Sequence, residues 1–152
     1  MRKVLVSLAL ASAALATPAL ANEARVEARG GVTWGGGSSD AIAGVAAGYD
    51  FDLGNAAFAG IEVSGDKILT SNTRTSLGIG GRVGVKLGDE GKLYAVSTYQ
   101  TKFCSLCDDS VSVGAGYQHA LGGNMYAKAE YRRYLISGTD GNVAGVGVGL
   151  RF

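Results

Sequence analysis

Two cysteines, one histidine and a scatter of charged residues among glycines are the side chains of this chain that could do chemistry. Cys104 and Cys107 form a C-x-x-C pair, a spacing that suits a redox motif, half of a zinc site or a disulfide that tightens a loop. No βαβ pattern surrounds the pair and no second pair of ligands accompanies it. Neither redox chemistry nor a metal is expected, and in an oxidising compartment the pair is expected to form a disulfide. His119 stands in the run Tyr117, Gln118, His119, Ala120, Leu121, with no serine two residues on to act as a nucleophile beside it. The charged residues that alternate with small or apolar ones are Glu27, Arg29, Glu62, Arg82, Lys86, Lys128, Glu130 and Arg132. Opposite charges in that pattern could line an ion-conducting path or neutralise one another as a packed network. Which of these they do depends on the elements that point them together.

The first element is not part of a fold. Arg2 and Lys3 precede an apolar run from Val4 to Leu15, followed by Ala19, Leu20 and Ala21, the small-apolar-small pattern of a cleavage site. The run is too short for a spanning helix, which needs roughly 20 residues. Residues 1–21 therefore read as a secretory signal peptide cleaved between Ala21 and Asn22, leaving 22–152 as one domain. The whole chain carries a formal charge of +1, and losing Arg2 and Lys3 leaves the mature part close to neutral. Nothing in that balance suggests a nucleic-acid partner.

All 25 glycines lie in the mature part, while the one proline is Pro18. So much glycine could mean disorder, but disordered chains lack regular apolar patterning, and here it runs throughout. No mature stretch has the length of a membrane helix or a sustained helical period. The period is two. Eight alternating segments are predicted: Arg25 to Trp34, Ala41 to Phe51, Ala57 to Ser64, Arg74 to Leu87, Lys92 to Lys102, Ser110 to Ala120, Met125 to Leu135 and Val143 to Phe152. In the fourth, Leu77, Ile79, Val83, Val85 and Leu87 oppose Arg74, Ser76, Gly78, Gly80, Arg82, Gly84 and Lys86. The fifth could take either phase; the one with Leu93, Ala95, Ser97 and Tyr99 outward is preferred because it sends Gln100 and Lys102 inward.

Tight turns are expected at Asp52 to Asn55, Gly88 to Gly91 and Leu121 to Asn124. Mostly longer polar loops are expected at Gly35 to Asp40, Gly65 to Thr73, Phe103 to Asp109 and Ser137 to Asn142. An even strand number with turns on one side and loops on the other is the pattern of a membrane barrel. A soluble barrel or sandwich would need its apolar face inside and its glycine-rich face in water, where glycine weakens strands for no gain. A narrow eight-stranded lumen does need glycine, to make room for long side chains opposite it. The apolar face also gathers aromatics at the strand ends: Trp34 and Tyr99 toward the loops, Tyr49, Phe51, Tyr117 and Phe152 toward the turns. That spacing suits two interfacial girdles. The fold class is therefore all-β, an eight-stranded antiparallel up-and-down transmembrane β-barrel after a cleaved signal peptide.

The last strand adds a motif. Gly147, Leu150 and Phe152 match the glycine, apolar and terminal aromatic positions of the C-terminal assembly signal of outer-membrane barrels, while Gly145 stands where that signal has a polar residue. With the signal peptide and the eight strands, the chain resembles the small outer-membrane β-barrel superfamily, the OmpA/OmpX-like and opacity-like barrels of the porin family. The resemblance covers the whole mature chain. It implies the outer membrane of a Gram-negative bacterium, surrounded by outer-membrane lipid and lipopolysaccharide. It further implies delivery by the secretion and outer-membrane assembly machinery, and a monomer.

Several activities are compatible with such a barrel. The lumen charges named above are expected to form a salt-bridge plug, because eight strands leave room for little beyond side chains. The expected function is then a non-enzymatic structural role in the envelope, without cofactor. One alternative is a surface adhesin or recognition barrel of the opacity type, for which Ile68, Leu69, Phe103 and Leu106 are the apolar loop contacts; another is a small pore. Some small outer-membrane barrels are lipid A-modifying enzymes, and the deacylases among them resemble hydrolases with a histidine, a serine and an acidic group near the outer rim. His119 has no such serine and falls at the turn end.

Overall fold

The computed structural model describes residues 22–102, 109–135 and 141–152. The signal-peptide reading through Ala21 and the Cys104–Cys107 pair lie outside these residues. The strands are β1 (Glu23–Gly35), β2 (Ser38–Leu53), β3 (Ala57–Ile68), β4 (Ser76–Leu87), β5 (Gly91–Gln100), β6 (Ser110–Gly122), β7 (Met125–Leu135) and β8 (Gly141–Arg151). Each pairs antiparallel with the next, and β8 pairs with β1, so the sheet closes into an eight-stranded up-and-down barrel. Among the described residues no helix is long and apolar enough to cross a membrane. A closed sheet is the other solution to spanning lipid, since it leaves no backbone edge unpaired.

The barrel is inside out. Alternation sends Val45, Ile61, Leu77, Ile79 and Val146 to the outer surface, where each is more than 60% exposed, while Arg25, Asp50, Glu62 and Arg82 are buried in the lumen. Strand β5 takes the phase with Leu93, Ala95, Ser97 and Tyr99 outward, and Lys92, Tyr94, Val96, Thr98 and Gln100 are buried.

The strand ends differ from the sequence reading in instructive ways. The expected loop Gly35 to Asp40 is a two-residue turn, Gly36–Gly37, with Gly35 opposite Ser38. Both glycines have positive φ, +59° and +88°, as a primed hairpin turn requires. Strand β3 runs on through Gly65 and Asp66 to Ile68, because these residues keep pairing with Val45 and Gly44 of β2. Strand β4 starts at Ser76 and not at Arg74. Lys102 is not a lumen residue: β5 ends at Gln100, and Lys102 is exposed beyond it with its N–H donated to Asp109 at 3.1 Å. The tight turns on the opposite rim contain Gly54, Gly88, Gly122 and Gly123, all at positive φ.

The lumen as candidate functional site

The inner surface is organised in rows that run across the strands. In each row a long polar side chain reaches over a glycine on the neighbouring strand to meet a partner on the strand after that. Arg25 of β1 lies opposite Gly48 of β2, which lies opposite Glu62 of β3. The Arg25 guanidinium donates to Glu62 Oε2 at 2.8 Å. Arg29 crosses Gly44 in the same way to a two-pronged contact with Asp66, 2.8 Å from Nε and 2.5 Å from Nη2. Arg82 of β4 crosses Gly60 to a two-pronged contact with Asp50 of β2, 2.9 Å from Nε and closer still from Nη2. Tyr94 of β5 crosses Gly116 and donates to Glu130 of β7 at 2.8 Å. Tyr126 of β7 crosses Gly149 and donates to Glu27 of β1 at 2.7 Å.

The glycines are required by distance. A Cβ on Gly48 would sit 2.6 Å from Arg25 Nη2, and one on Gly149 would sit 2.6 Å from the Tyr126 hydroxyl. Side chains of ordinary length at these positions would block the rows.

Further contacts tie the rows together. Glu62 is shared by Arg25, Arg29 at 3.0 Å and Arg132 at 2.9 Å. Glu27 takes Lys128 at 2.5 Å, and Glu130 takes Lys128 at 3.2 Å and Arg132. Lys92 reaches Glu23 at 2.7 Å and Asp50 at 3.3 Å. Below them, the Arg82 guanidinium carbon lies 5.3 Å from the Phe58 ring and 4.8 Å from the Tyr94 ring, a placement that stabilises a desolvated cation. Arg25, Arg29, Arg82, Lys92, Lys128 and Arg132 thus face Glu23, Glu27, Asp50, Glu62, Asp66 and Glu130. Each buried charge has opposite charges within reach, the condition under which buried ions are tolerated.

Most of the residues singled out from the sequence meet here: Glu27, Arg29, Glu62, Arg82, Lys128, Glu130 and Arg132. Lys86 stands apart, at the turn-side rim, paired with Asp52 at 2.6 Å. Sequence reasoning left out Arg25, Asp50, Asp66 and Lys92, although their parity carried the information. Arg25 and Asp50 lie on the same strand faces as Arg29 and Gly48. Asp66 continues the face of Glu62 and Ser64, and reading Gly65–Asp66 as the start of a loop concealed it.

The remaining assigned residues lie on the outside or at the rims. Trp34 packs 6.2 Å from Tyr131 on the outer surface, and Tyr131 donates to Asn142 at 2.6 Å. Tyr49 and Phe51 meet edge-on at 5.0 Å. Tyr99 donates to Asp109 at 2.6 Å, and that bond, with the Lys102 N–H, holds the Asp109 carboxyl below the usual carboxylate range. Tyr117 lies 3.3 Å from His119 Nδ1, and His119 Nε2 is 3.9 Å from Glu90, all exposed at the turn-side rim. Gly147 is buried, Leu150 faces outward, and Phe152 exchanges backbone hydrogen bonds with Ala24 at 2.8 and 3.2 Å.

A cavity of about 40 Å³ lies beside Arg29, Asp66, Lys128, Glu130, Arg132 and Tyr134, room for roughly one to a few waters. A wider cup of about 630 Å³ opens at the turn-side rim, and its lining includes Lys92 and Gln118. Gln118 and Asp50 hold Arg82 there, at 3.1 Å in the case of Gln118. Among the described residues no group of histidine, cysteine and acidic side chains could hold a metal ion.

An apolar exterior around a charged bore is the arrangement of a barrel set in lipid. The model of the outer membrane protein beta-barrel domain matches residues 7–152. The chain belongs to that family. The family places this protein in the outer membrane of a Gram-negative envelope. Solved barrels share its fold. Neisserial surface protein A superposes with a TM-score of 0.58 at 13% identity, covering 90% of this chain and 100% of that one. Ail, the attachment invasion locus protein of Yersinia pestis, gives 0.58 at 14% identity, covering 86% and 97%. The N-terminal barrel of Pseudomonas aeruginosa OprF gives 0.56 at 17%, also covering 86% and 97%. At these identities the likeness is one of fold. No curated protein matches the chain.

Proposed function

We propose that this protein is a non-enzymatic structural barrel of the outer membrane, whose lumen is closed by its own side chains. The observation that carries this reading is the set of glycine-spanning rows: long side chains from opposite walls meet in the bore, and the cavity beside Arg29, Glu130 and Arg132 holds about 40 Å³. Eight strands enclose space that side chains alone can fill. The protein contributes a rigid wall element to the envelope, surrounded by outer-membrane lipid and lipopolysaccharide. It reaches that place through the secretion and assembly machinery, and it works as a monomer. Purified, refolded barrel in planar bilayers should give no stable conductance steps; reproducible, sizeable single-channel steps would sink the plug and favour a small pore.

A recognition role is the second reading, favoured by one observation. Leu69, just beyond the end of β3 on the loop side, presents an apolar side chain that is 60% exposed. Ail, a barrel of the same fold, is an attachment protein by name. Replacing residues 69–75 by a short glycine-serine turn and measuring cell-surface binding separates the two readings, since a structural barrel loses nothing by the exchange.

A further inference from the structure

We infer that Tyr126 and Lys128 of β7 grip Glu27 of β1 across β8, and that this grip is a clasp on the seam where the two ends of the chain meet. Seven of the eight strand pairs are joined by a turn or loop of the chain. The β1–β8 pair is not, so hydrogen bonds and side chains alone hold it. Opening it in lipid exposes two strand edges with unpaired N–H and C=O groups.

The inner face of β8 is built to let a clasp pass over it. Its central lumen-facing positions are Gly145, Gly147 and Gly149, which lie opposite Glu130, Lys128 and Tyr126 on one side and Gly31, Arg29 and Glu27 on the other. β8 therefore contributes no side chain to the middle of the lumen, and β7 reaches β1 over it. The Tyr126 hydroxyl donates to Glu27 Oε2 at 2.7 Å, and Lys128 Nζ lies 2.5 Å from Glu27 Oε1. Tyr126 is fully buried. The other rows tie strands that the chain already connects through turns. Among the glycine-crossing rows this one alone spans the seam; Arg151 of β8 also reaches Glu23 of β1, at 3.6 Å, but at the more exposed turn-side rim, so the tie to Glu27 is the buried one.

Hydrogen exchange on the refolded barrel tests the clasp. Tyr126→Phe removes the hydroxyl and keeps the ring over Gly149. It should speed exchange of the Val148 and Leu150 amides, which face β1 across the seam, roughly fivefold, as loss of one buried hydrogen bond implies, while Ile79 and Val83 of β4 keep their rates. Tyr94→Phe removes the equivalent bond from the β5–β7 row and should leave the seam amides alone. A second arm places cysteines at the facing seam positions Ala28 and Val148, in a chain carrying Cys104→Ser and Cys107→Ser, and oxidises them after folding. The seam disulfide should restore the heat resistance of Tyr126→Phe and not that of Tyr94→Phe. Should Tyr126→Phe fail to insert, Lys128→Met carries the same expectation. Exchange that rises evenly around the barrel, or a disulfide that rescues both variants equally, would overturn the clasp.

Discussion

At the scale of residues, the recurring device is a glycine under a long polar side chain. Gly48 shows what it does. An alanine there would put its Cβ 2.6 Å from Arg25 Nη2 and 2.7 Å from the Ile61 carbonyl, so either the guanidinium leaves Glu62 or the strands separate. Gly48→Ala is expected to cost about 1–3 kcal/mol, in the range for forcing extra volume into a packed interior. Gly81 faces the other way, and a Cβ on it would meet nothing closer than the Gly60 carbonyl at 3.5 Å. Gly81→Ala should be neutral or slightly stabilising. Urea midpoints of the two variants in the same detergent give the comparison, and equal shifts would show that the lumen yields more easily than its distances imply.

At the scale of elements, the terminal strand combines a bare inner face, an apolar outer face and Phe152 in backbone register with Ala24. Phe152→Ala keeps those backbone bonds. If it lowers the amount of assembled protein in the outer membrane without changing the urea midpoint of protein refolded in detergent, the aromatic acts during assembly and not in the finished barrel; unchanged assembly would locate the address elsewhere in the chain. Strands of this kind are readable from sequence because a two-residue period survives any error in where the strand begins. Met125 to Leu135 has the predicted bounds, and the ambiguous fifth strand fell into place once Gln100 was sent inward. What could not be read was register. Knowing that Arg25 and Glu62 both face the lumen says nothing about Gly48 lying in line between them, because that alignment depends on how far β2 and β3 are staggered. The same gap hid Asp66, whose glycine neighbour looks like a turn until pairing with Val45 is known. It also hid the Gly36–Gly37 hairpin, where two glycines suffice for what looked like a longer loop.

At the scale of the whole molecule, the rows decide how the barrel comes apart. Each hairpin holds only part of any row: β1 and β2 contain Arg25 and Gly48, and the carboxylate they serve arrives with β3. No single hairpin is satisfied alone, and a half-open barrel strands buried charges without partners, which costs several kcal/mol for each pair broken. Unfolding should therefore be a single transition, with Trp34 fluorescence and backbone circular dichroism changing together; an early loss of one signal would show a separable hairpin. The tie from Tyr126 to Glu27 has the same form as the tie from Arg25 to Glu62, although one spans the chain ends and the other does not. Seen from the bore, no strand is first or last. A circularly permuted chain, opened at the Gly54 turn and joined between Phe152 and Asn22, would keep each of these rows and move the unjoined seam to β2 and β3, where the reach of Arg25 over Gly48 to Glu62 would become the clasp.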